Sequence, residues 1–265
     1  MNPEDSAKSR LTRQIEIGNK EGAKAMAAGM PPEETGDVLD KTAASDKASA
    51  RMLVLELASE HASEGASRAI LSRLQDPNLT VRSIANSLIA RIAQKSLVPD
   101  MFKALEQNPD LVVKGALARQ IGMVGDAGDL PRLRVLYRDT LDPGLRNDLA
   151  LAMARLGDDH YRQEVIRRLT APDEAARVAA LRDIPYVGDR RLARYFRPVL
   201  EDRRDAVVIS LPHDPVVAAR VCDVAIQTLA ALGVKFSFAA FPTRRFSEAE
   251  IQEALRIVTA LETVE

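Results

Sequence analysis

Five prolines recur along the chain at near-regular steps, and a regular step constrains a fold more tightly than any isolated motif. Pro77, Pro109, Pro143, Pro172 and Pro215 are separated by 32, 34, 29 and 43 residues. A basic residue follows four of them at the same offset, giving the pairs Pro77/Arg82, Pro109/Lys114, Pro172/Arg177 and Pro215/Arg220. Pro143 is the exception, with Asp148 at that offset and Arg146 two residues earlier. Self-similarity at roughly 30–45 residues marks a solenoid, in which each repeat buries its apolar face only by stacking on its neighbours. One more repeat, with Asp46 in the proline position and Arg51 at the basic offset, extends the array back by 31 residues.

The residues around each proline predict a helix start. Asp76-Pro77, Asn108-Pro109, Asp142-Pro143 and Asp214-Pro215 place a capping oxygen before a proline at the first helical position, where the missing N–H costs nothing. Ala171-Pro172 lacks that oxygen, although Asp173 brings negative charge to the first turn. Apolar stripes of helical period follow: Val81, Ile84, Ala85, Leu88, Ile89 and Ile92, then Val112, Val113, Ala116, Leu117 and Ile121. Val124-Gly125-Asp126, Leu156-Gly157-Asp158 and Val187-Gly188-Asp189 read as left-handed glycine C-caps followed by an aspartate that starts the next helix. Shorter second helices are expected at about 97–107, 129–139, 160–169 and 189–200. Residues 6–28 suit one helix, Pro31-Pro32-Glu33-Glu34 a cap or linker, and Ser247-Glu248-Ala249-Glu250 a capping box opening a helix over about 248–262.

Composition agrees with helices. Hydrophobic residues make up 46% of the chain, aromatics only 4%, and tryptophan is absent, which suits close helix packing better than sheets. The single cysteine, Cys222, excludes an intrachain disulfide and a multi-cysteine zinc site. No stretch approaches the ~20 apolar residues needed to cross a bilayer, and no signal-type apolar run opens the chain. A cytoplasmic protein without a membrane span is therefore expected.

Paired helices, an Asp-Pro opening and a basic residue five positions on resemble the HEAT-repeat family, and within it the short bacterial repeats first noted in phycobilisome lyases. Asp76-Pro-Asn-Leu-Thr-Val-Arg82 carries the likeness most fully, and Asp214 to Arg220 nearly as well. The resemblance covers roughly residues 44–233 and implies an all-α, right-handed α-α superhelix of about five to six helix pairs with irregular caps. The expected division is an N-terminal helix and cap over 1–43, a repeat array over 44–233, and a Phe-rich segment with a final helix over 234–265. The resemblance further implies that Arg82, Lys114, Arg177 and Arg220 form a structural ladder, each bonding an acidic or carbonyl group of the adjacent repeat.

Chemistry-bearing residues are sparse. His61, His160 and His213 are dispersed, and Asp158-Asp159-His160 reads as an acidic helix start before it reads as a cation site. Ser210, His213, Asp214 and Cys222 gather nucleophile and base types near one irregular stretch, 201–213, but Asp214 has a capping role and Cys222 sits on an apolar face. No catalytic residue, metal or cofactor is expected. Phe236, Phe238, Phe241 and Phe246 concentrate four of six phenylalanines, either as a plug on the last repeat or as an aromatic docking patch rimmed by Arg244 and Arg245.

Charge is more telling. Residues 129–204 hold 16 arginines and no lysine against 13 acidic residues, whereas both ends of the chain are net acidic. Arg132, Arg134 and Arg138, then Arg162, Arg167 and Arg168, then Arg190, Arg194 and Arg197 with Arg191 alongside, fall on the second helices. In HEAT-like proteins those helices typically line the concave face, which implies an anion-attracting surface suited to carboxylates. The leading expectation is a non-enzymatic scaffold holding an acidic segment of a protein partner there. Two alternatives are a HEAT-like nucleic-acid binder and a tetrapyrrole lyase or chaperone-like enzyme. A pI of about 6.4 and the lack of tryptophan oppose the first, and only the architectural motif carries over to the second.

Overall fold

Helix follows helix through nearly all of the chain in the computed structural model, which describes residues 6–209, 217–241 and 244–263. Two units separate, Met1–Ala152 and Met153–Glu265, the division falling within a helix. The first contains α1 (Ala7–Glu16), α2 (Lys20–Ala28), α3 (Pro32–Thr42), α4 (Ala48–Glu60), α5 (Glu64–Ser72), α6 (Leu79–Ser87), α7 (Val98–Gln107), α8 (Leu111–Val124), α9 (Leu130–Asp139) and most of α10 (Pro143–Arg155). The second contains α11 (Asp159–Leu169), α12 (Glu174–Val187), a 3-10 helix over Arg190–Tyr195, α13 (Arg197–Leu200), α14 (Val221–Ala231) and α15 (Glu248–Glu262). Between α13 and α14, β1 (Asp205–Ile209) and β2 (Val217–Arg220) pair antiparallel in a two-stranded ribbon. This is the β structure among the described residues, and the sequence pattern did not anticipate it. None of the described helices is long and apolar enough to cross a membrane.

The prolines shape turns more often than they open helices. Asp76 Oδ1 accepts the N–H of Asn78 at 2.9 Å, and Asn108 Oδ1 that of Asp110 at 2.9 Å, closing Asx turns around Pro77 and Pro109. The residue after each proline is then the true cap: Asn78 for α6, Asp110 for α8 and, past Pro172, Asp173 for α12. Of the recurring prolines among the described residues, Pro143 alone begins its helix, with Asp142 Oδ1 accepting from Leu145 N at 2.7 Å. Downstream, Val81, Ala85, Ile89 and Ile92 are buried as the period requires, as are Val113, Leu117 and Ile121. Val112 is 81% exposed, off the stripe assigned to it.

A second use of the turn aspartate links neighbouring repeats. Arg51 donates from Nε and Nη2 to the two Asp76 oxygens at 2.8 and 3.0 Å, and from Nη1 to the carbonyls of Ser45 and Asp46 at 2.8 and 3.0 Å. One guanidinium thus ties its own turn to the next. Burial would push the Asp76 carboxyl up, but Arg51, the Asn78 N–H and Arg73 outweigh it and hold the group below the usual carboxylate range. Arg82 bonds its own turn in the same way, Nη1 to the carbonyl of Asp76 at 2.5 Å. Asp148, the exception to the ladder, reaches back to Arg119 Nε at 2.5 Å, and a side chain at Gly115 would collide with its carboxylate.

Arg177 pairs with Asp202 at 2.6 Å, both largely buried. The separation of 25 residues equals that between Arg51 and Asp76. Asp202 Oδ1 also accepts the N–H of Arg204 at 3.1 Å, reproducing the Asx turn at Asp76. The last repeat therefore begins at Asp202, 31 residues after Ala171, and the ribbon is spliced between its turn and its helix. Asp214-Pro215, assigned to that start from the sequence, lies outside the described residues; α14 instead begins at Val221, with Arg220 as its N-cap.

Two further differences lie at turns. Residues 6–28 form two helices, broken at Gly18 (φ 74°), and Pro31-Pro32 opens α3 with Pro32 in its first turn. Gly157 (φ 101°) and Gly188 (φ 68°) take the left-handed conformation, whereas Gly125 is extended (φ −76°, ψ −168°). The three aspartates after these glycines all cap the next element, through the N–H of Gly128, His160 and Arg191.

The backbones of α3 and α5 approach closely at Gly36 and Gly65. A Cβ on Gly65 would lie against the main-chain carbon and oxygen of Gly36, which cannot swing away as a side chain tip would. Gly65→Ala is expected to lower stability by about 1–3 kcal/mol, the usual range for overpacking. Thermal unfolding checks this, with the exposed Ala25→Ser as an inert control.

Candidate functional site

The arginines of the second helices fall into three groups when their partners are traced. The first group holds helices together. Arg132 donates from Nε and Nη2 to Glu106 Oε1 of α7 at 2.9 and 2.7 Å, with its guanidinium 4.4 Å from the Phe102 ring centre. Arg168 pairs with Asp183 of α12 at 2.9 Å. Arg162 bonds the Gly157 carbonyl at 2.8 Å and pairs with Asp159 and Asp189 at 2.9 and 3.6 Å. Arg138, Arg167 and Arg197 form a second group with short-range, solvent-exposed partners: Asp139, Glu164 and Glu201. Such pairs are weak and readily exchanged.

The third group is Arg190 and Arg194. Arg190 is exposed and has no hydrogen-bond or ion-pair partner among the described residues. Arg194 donates Nε to the Arg191 carbonyl at 3.3 Å and leans toward the Tyr195 ring at 5.9 Å, with no carboxylate. Arg191 between them is spent on Asp189, whose carboxyl that guanidinium holds below the usual range against the effect of burial. Arg134 lies on the exposed side of α9, in the first unit.

The phenylalanines divide. Phe236 stacks on Phe238 at 5.0 Å, Phe238 meets Phe246 at 5.5 Å, and Phe246 is buried with Arg244 over its ring at 5.1 Å. Phe241 stands apart, 66% exposed. What fixes this end is a clasp that sequence reasoning missed. Asp223, wholly buried in the first turn of α14, accepts four hydrogen bonds: from Arg220 N, Nε and Nη2 and from Phe246 N, at 2.9–3.0 Å. Arg220 Nη2 also reaches the Phe246 carbonyl at 2.6 Å. Burial opposes ionisation of Asp223, but these donors prevail and hold its carboxyl below the usual range. The signal available was the Arg-x-x-Asp spacing across a helix start, the charged counterpart of a capping box. The Ser247/Glu250 capping box forms as read, opening α15.

No acid–base or nucleophilic constellation appears among the described residues. Cys222 is buried and its thiol is pushed up, first by burial and then by Asp223, so it is a poor nucleophile. Ser210, His213 and Asp214 lie outside the described residues. Asp158 caps α11, Asp159 is engaged by Arg162, and His160 packs edge-on to Tyr161 at 4.9 Å. The described residues hold no metal-ligating group of three or more His, Cys, Asp or Glu side chains.

The family model for HEAT repeats matches residues 67–154. This stretch is a HEAT-repeat array. It takes in α6 to α9 and most of α10, with the turns at Asp76, Asn108 and Asp142. Among solved structures, the chain is similar to one from the complex of CpcE and CpcF of phycocyanin lyase from Nostoc sp. PCC7120, at 14% identity and a TM-score of 0.49, covering 99% of this chain and 94% of that one. No curated protein matches the sequence. Asp202, beyond this stretch, repeats the Asx turn of Asp76 without a following proline.

Because Asp223 is held ionised by the fold, its contribution to stability is present above the ordinary aspartate pKa, about 3.9, and is lost as pH falls through the lower folded value. Asp223→Asn should lower the melting temperature at pH 7, and the gap from the parent should close below about pH 4. Melting curves across pH 2.5–7 check this; a gap that stays constant would show that the charge is not what holds the clasp.

Proposed function

We propose that the protein is a non-enzymatic HEAT-repeat scaffold that holds an acidic segment of a protein partner against the arginine-bearing side of its second unit. The observation that carries this reading is the pair Arg190 and Arg194, whose guanidiniums have no carboxylate among the described residues. Arg167 and Arg197 of the same unit sit in exposed pairs that an incoming carboxylate exchanges at little cost. Arginine's planar fork takes a carboxylate through two parallel hydrogen bonds, so four such groups give affinity with orientation. Structural arginines such as Arg162 and Arg168 keep the surface in shape and are left out of the contact.

Fluorescence anisotropy with a labelled oligoglutamate peptide tests the proposal. Binding in low salt, weakened as ionic strength rises and lost in the triple variant R190E/R194E/R197E, is the expected result. Undiminished binding by that variant, or tighter binding of a labelled DNA duplex of equal charge, overturns it.

A further inference from the structure

Resting on that reading, we infer that the acidic segment seats in one groove of the second unit, between α13 and α15, and that it carries an apolar side chain among its carboxylates. The groove encloses about 480 Å³. One wall is a stripe of α15 in which Gln252, Leu255, Arg256 and Thr259 recur at the 3- and 4-residue spacing that puts them on one helix face. The other wall carries Arg197, Glu201 and Arg203.

Three guanidiniums therefore converge on the groove, and their partners are unequal. Arg203 is fixed, bonded to Glu248 at 2.9 Å and to the Leu200 carbonyl. Arg197 is held only by Glu201, at 3.2 Å, both half exposed. Arg256 has no ion-pair partner among the described residues, although its charge acts on the Glu253 carboxyl; its Nε meets the Gln252 carbonyl of its own helix at 3.4 Å. The guanidinium most open to an incoming carboxylate is thus Arg256, with Arg197 available by exchange.

Leu255 supplies the second half of the argument. It lies beside Arg256, half exposed, and lines the same groove, so an occupant reaching Arg256 also covers an apolar surface. Carboxylates alone would leave that surface wet. A segment in which a leucine-sized side chain alternates with acidic residues satisfies both, the apolar contact choosing the position and the guanidiniums the charge.

The test uses the full chain and two labelled peptides of equal charge, one repeating Glu-Glu-Leu-Glu and the other Glu-Glu-Ser-Glu. The leucine peptide is expected to bind at least about fivefold more tightly. Arg256→Glu should weaken it about tenfold or more, the loss expected for a charged hydrogen-bonding partner. Leu255→Ala should erase the preference between the peptides while leaving the serine peptide's affinity unchanged; R256E, on an exposed position, serves as the arm that does not depend on packing. Equal binding of the two peptides, or parental affinity in R256E alongside loss in R190E/R194E/R197E, overturns the groove and leaves the broader arginine surface standing. Absence of binding by either peptide to the parent protein overturns both.

Discussion

A guanidinium from one repeat closing on the carboxylate that shapes the next turn sets the register at two boundaries, one near each end of the array. Arg51 and Asp76 show it in full: two hydrogen bonds across the boundary and two more from the same side chain to its own turn. Asp76 is almost wholly buried, so its charge is tolerable only with that partner in place. Losing one member of such a pair costs about 3–5 kcal/mol, although an apolar replacement of both can be neutral. The contact is therefore better understood as a device for alignment than as a source of net stability.

A simpler form of the contact marks the irregular end: Arg177 forms an ion pair with Asp202, which Arg204 also holds through two hydrogen bonds. Arg177 and Asp202 repeat the 25-residue separation, and Asp202 repeats the Asx turn. An array whose prolines step by 43 residues here keeps its period, with a β ribbon inserted after the turn. Beyond the ribbon, Asp223 and Arg220 fix the start of α14. They gather the start of α14 and the backbone at Phe246, just before α15.

Much of the helical organisation was legible because its causes are local. Gly157 and Gly188 cap as their types require, Asp126, Asp158 and Asp189 start the elements after the three glycines, and Ser247 with Glu250 opens α15. Details failed where two local readings compete. An aspartate before proline suits an N-cap and an Asx turn equally, and only the next residue, Asn78 or Asp110, decides which. The pairing Arg177–Asp202 was hidden because Asp214-Pro215 offers a more familiar motif, while the real partner has no proline. For the surface, the sequence located the arginines but not their partners. Nothing in the spacing separates Arg168, committed to Asp183, from Arg190, committed to none, and Arg256 lay outside the arginine-rich span altogether.

A double-mutant cycle on Arg177→Met and Asp202→Asn tests the register most directly, because this is the pair that the proline pattern did not indicate. Each single variant should unfold markedly more easily than the parent, and the double variant should lose less than their sum, with a coupling energy of about 1.5–3 kcal/mol. Effects that add to within about 0.5 kcal/mol would contradict the account, placing the two residues in separate roles and leaving the last repeat without its link to the one before.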